Sequence, residues 1–268
     1  PLPSSPMTPS LLIVVPTLNS HQVLPRLLSS LQQQSWPHWR LLFIDGHSGQ
    51  EHRNWLIHCC ATESRCRWLA QSPAEAGIFG AMNQGFALAA PTDWLLFWGS
   101  DDWAAGPACF EQVFGEIQGL ARWPDLLVCR GRYAGASSGK LGRRAFFQPA
   151  GLLERSRYRR ALLFGATPPH QATLFGPGAR RRLPRYADGF RLSADLDYFL
   201  QLAAQADLQV QCLDLELVHM ADAGISGQQT KQRLREVCLA YRRAFGSLWC
   251  VPFLMRYWRR LLSLLQSS

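Results

Sequence analysis

Two pairs of carboxylates are spaced for chemistry. Asp101 and Asp102 follow directly on Trp94-Leu95-Leu96-Phe97-Trp98-Gly99-Ser100, and Asp195 and Asp197 lie within Ser193-Ala194-Asp195-Leu196-Asp197-Tyr198-Phe199-Leu200. Adjacent carboxylates at the mouth of an apolar segment repel one another and resist desolvation unless they share a cation, so the first pair suits a divalent metal such as Mn²⁺ or Mg²⁺. Ser-Asp-Asp is equally a good start for a helix, Ser and Asp being favoured caps. In the second pair, Leu196, Phe199, Leu200 and Ala203 recur at helical spacing, and at ~100° per residue Asp195 and Asp197 flank that stripe on opposite sides. Either could face a cleft as a general base, or both could decorate a helix amino end and favour its dipole.

The elements that must position these acids alternate. Leu11-Leu12-Ile13-Val14-Val15 reads as a buried parallel strand, followed after Pro16-Thr17-Leu18-Asn19-Ser20 by a helical pattern of Val23, Leu24, Leu27, Leu28 and Leu31 that Asn19 or Ser20 would cap. Arg40–Ile44 is a second strand ending in the turn-rich Asp45-Gly46-His47-Ser48-Gly49, with a helix to about residue 60. Glu75–Ala90 reads as a helix rich in small residues and Asp93–Trp98 as a strand. Such alternation predicts an open, mostly parallel sheet covered by helices, with ligands beyond the carboxyl ends of the strands. Asp101 and Asp102 stand at such an end.

Composition narrows the class. Apolar residues make up 47% of the 268-residue chain, which excludes wholesale disorder and allows one large α/β domain. Pro1–Ser10, with four prolines and three serines, reads as a flexible leader without signal-peptide character. No apolar run approaches the ~20 residues of a membrane-spanning helix, so a cytoplasmic location is expected. Eight cysteines at 59, 60, 66, 109, 129, 212, 238 and 250 form no C-x-x-C pair and read as reduced thiols. The net charge is +9, with all but Lys140 and Lys231 of the 28 basic residues being arginine, concentrated at 122–160, 180–191 and 231–260. That balance favours anionic partners, but no helix-turn-helix, RNA-recognition or zinc-finger pattern accompanies it, and nucleic acid is not expected.

Taken in order, VVPTLNS (14–20), LLFIDGHSG (41–49), AGIFGAMNQGFALA (76–89), DWLLFWGSDD (93–102), HQATLF (170–175), SADLDYFLQL (193–202) and AGIS (223–226) resemble the family 2 inverting glycosyltransferases of the GT-A fold. The resemblance implies an α/β, Rossmann-like, mostly parallel sheet flanked by helices over residues 11–228, with a basic C-terminal helical extension at 229–268. It implies transfer of a sugar, with inversion, from a UDP- or GDP-linked donor to a hydroxyl of a saccharide or lipid-linked saccharide. By position, Pro16, Thr17 and Asn19 would cradle the nucleotide and Asp45 would contact its base. Asp102 would bind the metal, and Asp101 would support the metal or the ribose. Asp195 would be the base, with Asp197 supporting it. His170 and Gln171 would lie near the diphosphate, Glu75 and Asn83 in the donor site, and Ser226 in a loop meeting phosphate. His219, just upstream of that loop, is not expected to bind metal.

The chain departs from the family pattern D-x-G-I-Y-D-A-M-N-x-G, carrying Glu75 for the first acid and Phe79-Gly80 where Tyr-Asp is common, which bears on donor binding and sugar choice. A non-catalytic relative is therefore one rival reading, and a basic protein binding nucleic acid or a membrane surface is another. Arginines mixed with Trp249, Phe253, Leu254, Tyr257 and Trp258 make the C-terminal stretch an interfacial helix or a packing helix, and peripheral contact with the inner face of the cytoplasmic membrane follows from the first of these.

Overall fold

The computed structural model describes residues 8–135, 140–221 and 230–265. The first part of the chain alternates through β1 (Ser10–Thr17), α1 (Leu24–Gln32), β2 (Trp39–Asp45), α2 (Gln50–Thr62), β3 (Cys66–Ala70), α3 (Gly77–Leu88) and β4 (Asp93–Phe97). Then come β5 (Trp103–Ala104), α4 (Cys109–Gly115), β6 (Leu126–Ala134), β7 (Leu141–Ala145), β8 (Gly151–Glu154) and α5 (Arg155–Leu163). The chain continues through β9 (Thr173–Phe175), α6 (Pro177–Arg182), α7 (Ala194–Leu202), β10 (Gln209–Ala221), α8 (Thr230–Phe245) and α9 (Cys250–Leu265).

The described strands join in one sheet of order β3-β2-β1-β4-β9-β6-β10-β5, with β7 beside β6 and β8 beside β10. β1 pairs in parallel with β2 and β4, β2 with β3, and β6 with β10, whereas β9 runs antiparallel between β4 and β6. Alternate residues of the central strands feed two cores. Leu12, Val14, Leu42, Ile44, Leu95 and Phe97 face one side, and Leu11, Ile13, Val15, Leu41, Phe43, Trp94 and Leu96 the other. Burial on both faces is why these strands read as unbroken apolar runs. The leucines of α1 and α2 cover the second side, and Met82 and Phe86 of α3 the first. Strand order turns back between β1 and β4, so α3 must cross on the face opposite α1 and α2 if every crossover is right-handed.

Pro16 inside a central strand has a local reason. The Val14 carbonyl accepts the Trp98 N–H at 3.2 Å, so Pro16, two residues on, faces the same neighbour, past the last paired β4 residue, Phe97. Its missing N–H thus falls at the end of the β1–β4 ladder, where it stops the pairing without interrupting it.

Helix α1 begins at Leu24, later than the cap expected at Asn19 or Ser20, and Val23 precedes it without a side-chain cap. Asn19 instead takes a left-handed backbone with φ 49° and bonds elsewhere, while the Ser20 carbonyl receives the Val23 and Leu24 N–H groups. Of the stretch expected to be a leader, residues 1–7 lie outside the described residues, and its last residue, Ser10, already belongs to β1. All eight cysteines are free and five are buried. Among the described residues no helix is long and apolar enough to cross a membrane.

The approach of α3 to β1 is close because Gly85 has no side chain: a Cβ there would stand 2.7 Å from both γ-carbons of Val14. Val14 is fully buried and β-branched, with little freedom to turn away. Gly85→Ala is expected to destabilise the fold by about 1–3 kcal/mol, read as a lower urea midpoint at unchanged slope.

Candidate active site

The carboxyl ends of β1, β2 and β4 converge on one crevice, at the point where the strand order reverses. Asn19 ties the first two: its N–H donates to Ser48 Oγ at 2.8 Å, and its Oδ1 accepts the Gly49 N–H at 2.8 Å. Ser100 ties in the third, with the Ser20 hydroxyl donating to Ser100 Oγ at 2.9 Å and Ser100 Oγ donating to the Pro16 carbonyl at 3.1 Å. Asp45 is buried and accepts the Ser48 N–H at 3.1 Å, which shapes the turn expected to meet a nucleotide base. His52 lies 3.6 Å from Asp45, and burial keeps it below its ordinary proton affinity, opposed by Asp45 and assisted by His21. Thr17 Oγ1, at the end of β1, is buried and without a hydrogen-bond partner among the described residues.

Asp101 and Asp102 follow β4 directly. A Cβ added at Gly99 would lie 2.9 Å from Asp101 Oδ1 and 3.3 Å from Asp102 Oδ2, so both carboxylates close on one small space that glycine leaves open. Asp102 Oδ2 accepts the Gly99 N–H at 2.6 Å. Burial, reinforced by the charge of Asp101, nonetheless holds the Asp102 carboxyl well above its ordinary range. That is the electrostatic condition a cation relieves, and the donor set of two carboxylates with room for phosphate and water suits Mg²⁺ or Mn²⁺. No cluster of three or more His, Cys, Asp or Glu side chains able to hold a metal occurs among the described residues.

Asp195, half-buried in the first turn of α7, lies within electrostatic reach of His170 and Tyr186. Burial lowers the proton affinity of His170 and Asp195 opposes it. His170 stacks on Phe97 at the end of β4, with ring centres 5.7 Å apart and planes 10° apart, and its Nε2 meets the Tyr186 hydroxyl at 2.7 Å. The Gln171 carbonyl accepts the Trp98 indole N–H at 2.9 Å. Asp195 is thus linked through His170 to the strand that carries Asp101 and Asp102.

Other expected residues hold the frame. The Asn83 side chain exchanges two hydrogen bonds with the Tyr186 backbone, at 2.8 and 3.3 Å, and both are buried. Glu75 pairs with Arg185 at 3.3 Å, and Arg185 also reaches Asp188 at 2.8 Å. Gly80 has a local reason, because a Cβ there would stand 2.2 Å from the backbone carbonyl oxygen of Glu75. His219 bonds Glu216 Oε1 at 2.8 Å beside Trp103. Ser226 lies outside the described residues. Of the arginines at 180–191, Arg180 is spent on the carbonyls of Ala89, Ala90 and Asp93, and Arg182 on the Ala206 carbonyl and Asp125.

Two positioning contacts escape a reading of spacing. Buried Glu236 of α8 accepts the N–H groups of Arg191, Leu192 and Ser193 at 3.1, 2.8 and 2.9 Å, fixing the turn that starts α7. Asp197, fully buried on α7, pairs with Arg243 of α8 at 2.8 Å. The sequence signal was a lone acid in the otherwise basic run Lys231–Arg243. Removing a buried acceptor leaves its donors unpaired, so Glu236→Ala is expected to cost about 2–4 kcal/mol of stability, measured by urea unfolding.

Asp102 has a folded proton affinity above its unfolded one, so the folded chain holds the extra proton and loses stability as pH rises above the ordinary carboxyl value of 3.8. Asp102→Asn removes that loss. In chelator, its urea stability is expected to match the parent near pH 4 and to exceed it near pH 8 by on the order of 1 kcal/mol.

Similarity to known proteins bears on the family and the fold. Residues 12–176, more than half of the chain, match the family described as Glycosyl transferase family 2. The PGL/p-HBAD biosynthesis glycosyltransferases of Mycobacterium bovis (strain BCG / Pasteur 1173P2) and Mycobacterium tuberculosis (strain ATCC 25177 / H37Ra) are 36% identical over 94 residues, 35% of this chain and 36% of theirs. The match thus spans about a third of the length of these curated relatives. Among solved structures, S. aureus TarS superposes with a TM-score of 0.66 at 15% identity, covering 92% of this chain and 43% of that one. Mannosyltransferase PcManGT from Pyrobaculum calidifontis, solved with GDP-Man and Mn²⁺, gives 0.60 at 12% identity, covering 91% of this chain and 67% of that one. The fold is the expected GT-A arrangement, and the chain belongs to glycosyltransferase family 2.

Proposed function

We propose that the chain transfers a sugar, with inversion, from a UDP- or GDP-linked donor to a hydroxyl of a saccharide or lipid-linked saccharide. The observation that supports this reading is a grouping at one strand-order reversal: Asp101 and Asp102 follow β4 after three residues, and Asp195 is within electrostatic reach of His170, which stacks on that strand's last residue. The S. aureus TarS structure solved with UDP-GlcNAc and the archaeal one solved with GDP-Man support a nucleotide-sugar donor.

The nucleotide lies along Pro16, Thr17 and Asn19, with its base beside Asp45, and Glu75, His170 and Ser226 complete the donor side. Asn83 acts there by fixing the Tyr186 backbone. Asp102, with Asp101, holds a divalent cation, which supplies counter-charge for the diphosphate. Asp195 accepts the proton of the acceptor hydroxyl as its oxygen bonds to the anomeric carbon, and the bond from that carbon to the diphosphate breaks on the opposite face. Asp197, held by Arg243, keeps α7 in place rather than taking the proton.

The experiment pairs nucleotide binding with turnover. UDP or GDP with Mn²⁺ is expected to raise the thermal midpoint, and chelator or Asp102→Ala to abolish the rise. Asp195→Asn is expected to keep that rise while losing about 10²–10⁴-fold in turnover. A midpoint indifferent to every nucleoside diphosphate overturns the donor site, and full turnover by Asp195→Asn overturns the base.

A further inference from the structure

A second cavity, of about 590 Å³, opens away from the crevice, between α5, the β7–β8 connection, the middle of β10 and the last turns of α9. Arg130, Arg157, Arg160 and Arg259 line it, and Asp214 is the one acid on its wall. Asp214 is already paired with Arg130. The guanidinium groups of Arg157 and Arg160 have no hydrogen-bond or ion-pair partner among the described residues, and Arg259 makes only a 3.5 Å contact with the Phe164 carbonyl. Like charges gathered around one cavity repel, and an anionic phosphate shared between them reduces that penalty.

The rim is not what a free sugar phosphate or inorganic phosphate calls for. Phe146 and Phe164 stand half-exposed at the mouth. Beside them, α9 carries Val251, Leu254 and Trp258 at i, i+3 and i+7, one helix face, with Leu254 65% and Trp258 56% exposed. Trp258 adjoins Arg259, so the apolar stripe and the basic cavity share an edge. The helix is seated firmly. A Cβ on Gly165, which has φ 77°, would stand 2.4 Å from the Arg256 backbone nitrogen, and Arg256 Nη1 donates to Thr167 Oγ1 at 2.5 Å. An apolar face continuous with a cluster of unpaired arginines is the pattern of a helix lying in a membrane interface.

We propose that this cavity receives the phosphate of an anionic membrane lipid on Arg157, Arg160 and Arg259 while the exposed face of α9 enters the acyl boundary. The inference is independent of the proposed sugar transfer. It places the chain on an anionic bilayer by a built headgroup site rather than by net charge alone.

The test is sedimentation of the full chain with vesicles. Binding is expected to an equimolar mixture of phosphatidylcholine and phosphatidylglycerol and not to phosphatidylcholine alone. Arg157→Gln with Arg160→Gln is expected to weaken it at least about tenfold. Arg53→Gln with Arg67→Gln, an equal loss of charge on α2 and β3, should leave it within about twofold, since screened charges far from the surface add little. Leu254→Ser keeps every charge and should weaken binding severalfold. All four arginines are exposed, so the variants fold, which unchanged circular dichroism would verify. Parent-like binding by the cavity pair or by Leu254→Ser overturns the proposal. So does an equal loss in the control pair, release by millimolar inorganic phosphate, or a preference for duplex DNA over the mixed vesicles.

Discussion

The reversal of strand order between β1 and β4 is the constraint on which the rest of the molecule depends. Because α1 and α2 pack on one face and α3 on the other, the loops at the carboxyl ends of the two central strands turn to opposite faces, the place where a sheet of this kind opens a crevice. The chain closes that gap with short polar bridges instead of apolar packing. Asn19 reaches Ser48 and Gly49, and Ser100 reaches Ser20 and Pro16. A crevice floored by backbone and hydroxyl groups can hold a polar ligand without burying uncompensated dipoles.

The other half of the site is carried by helices. α7 presents Asp195, but α8 decides where α7 starts, through Glu236 on three successive N–H groups and Arg243 on Asp197. Val237, Ala240 and Tyr241 of α8 also belong to the core beneath α3 and α7. Residues 230–245, at the start of the expected extension, are therefore built into the same packing as the residues that face the crevice. The aromatic group of Phe86, Phe97, Phe175, Tyr186 and Tyr198 joins the two halves under His170, which explains why a ring stacked on Phe97 feels the charge on α7.

The early strands were legible in the sequence because burial on both faces makes their apolar runs continuous, and α3 and β4 ended within a residue or two of expectation. The acids stood out in the sequence because adjacent charges beside an apolar run are expensive to desolvate. Legibility failed where a side chain's partner lies far along the chain. Asn19 has the composition of a cap, yet its partners are 29 and 30 residues away, and Glu236 answers backbone groups 43–45 residues away. Counting arginines failed for the same reason: Arg180 looks like a phosphate ligand until the carbonyls it serves, 87–91 residues distant, are in view. The stretch around β7 and β8 offered no periodicity, being mostly exposed, and its cavity arises only when α5 and α9 are brought beside it.

The contact between Gly80 and the backbone of Glu75 ties the start of α3 to the turn before it. With the Glu75 carbonyl oxygen 2.2 Å from where a β-carbon would be, an acid at position 80 and the present path of the chain at Glu75 are mutually exclusive. Any side chain placed there would force the turn aside, so that end of the helix can gain one only together with a rebuilt turn.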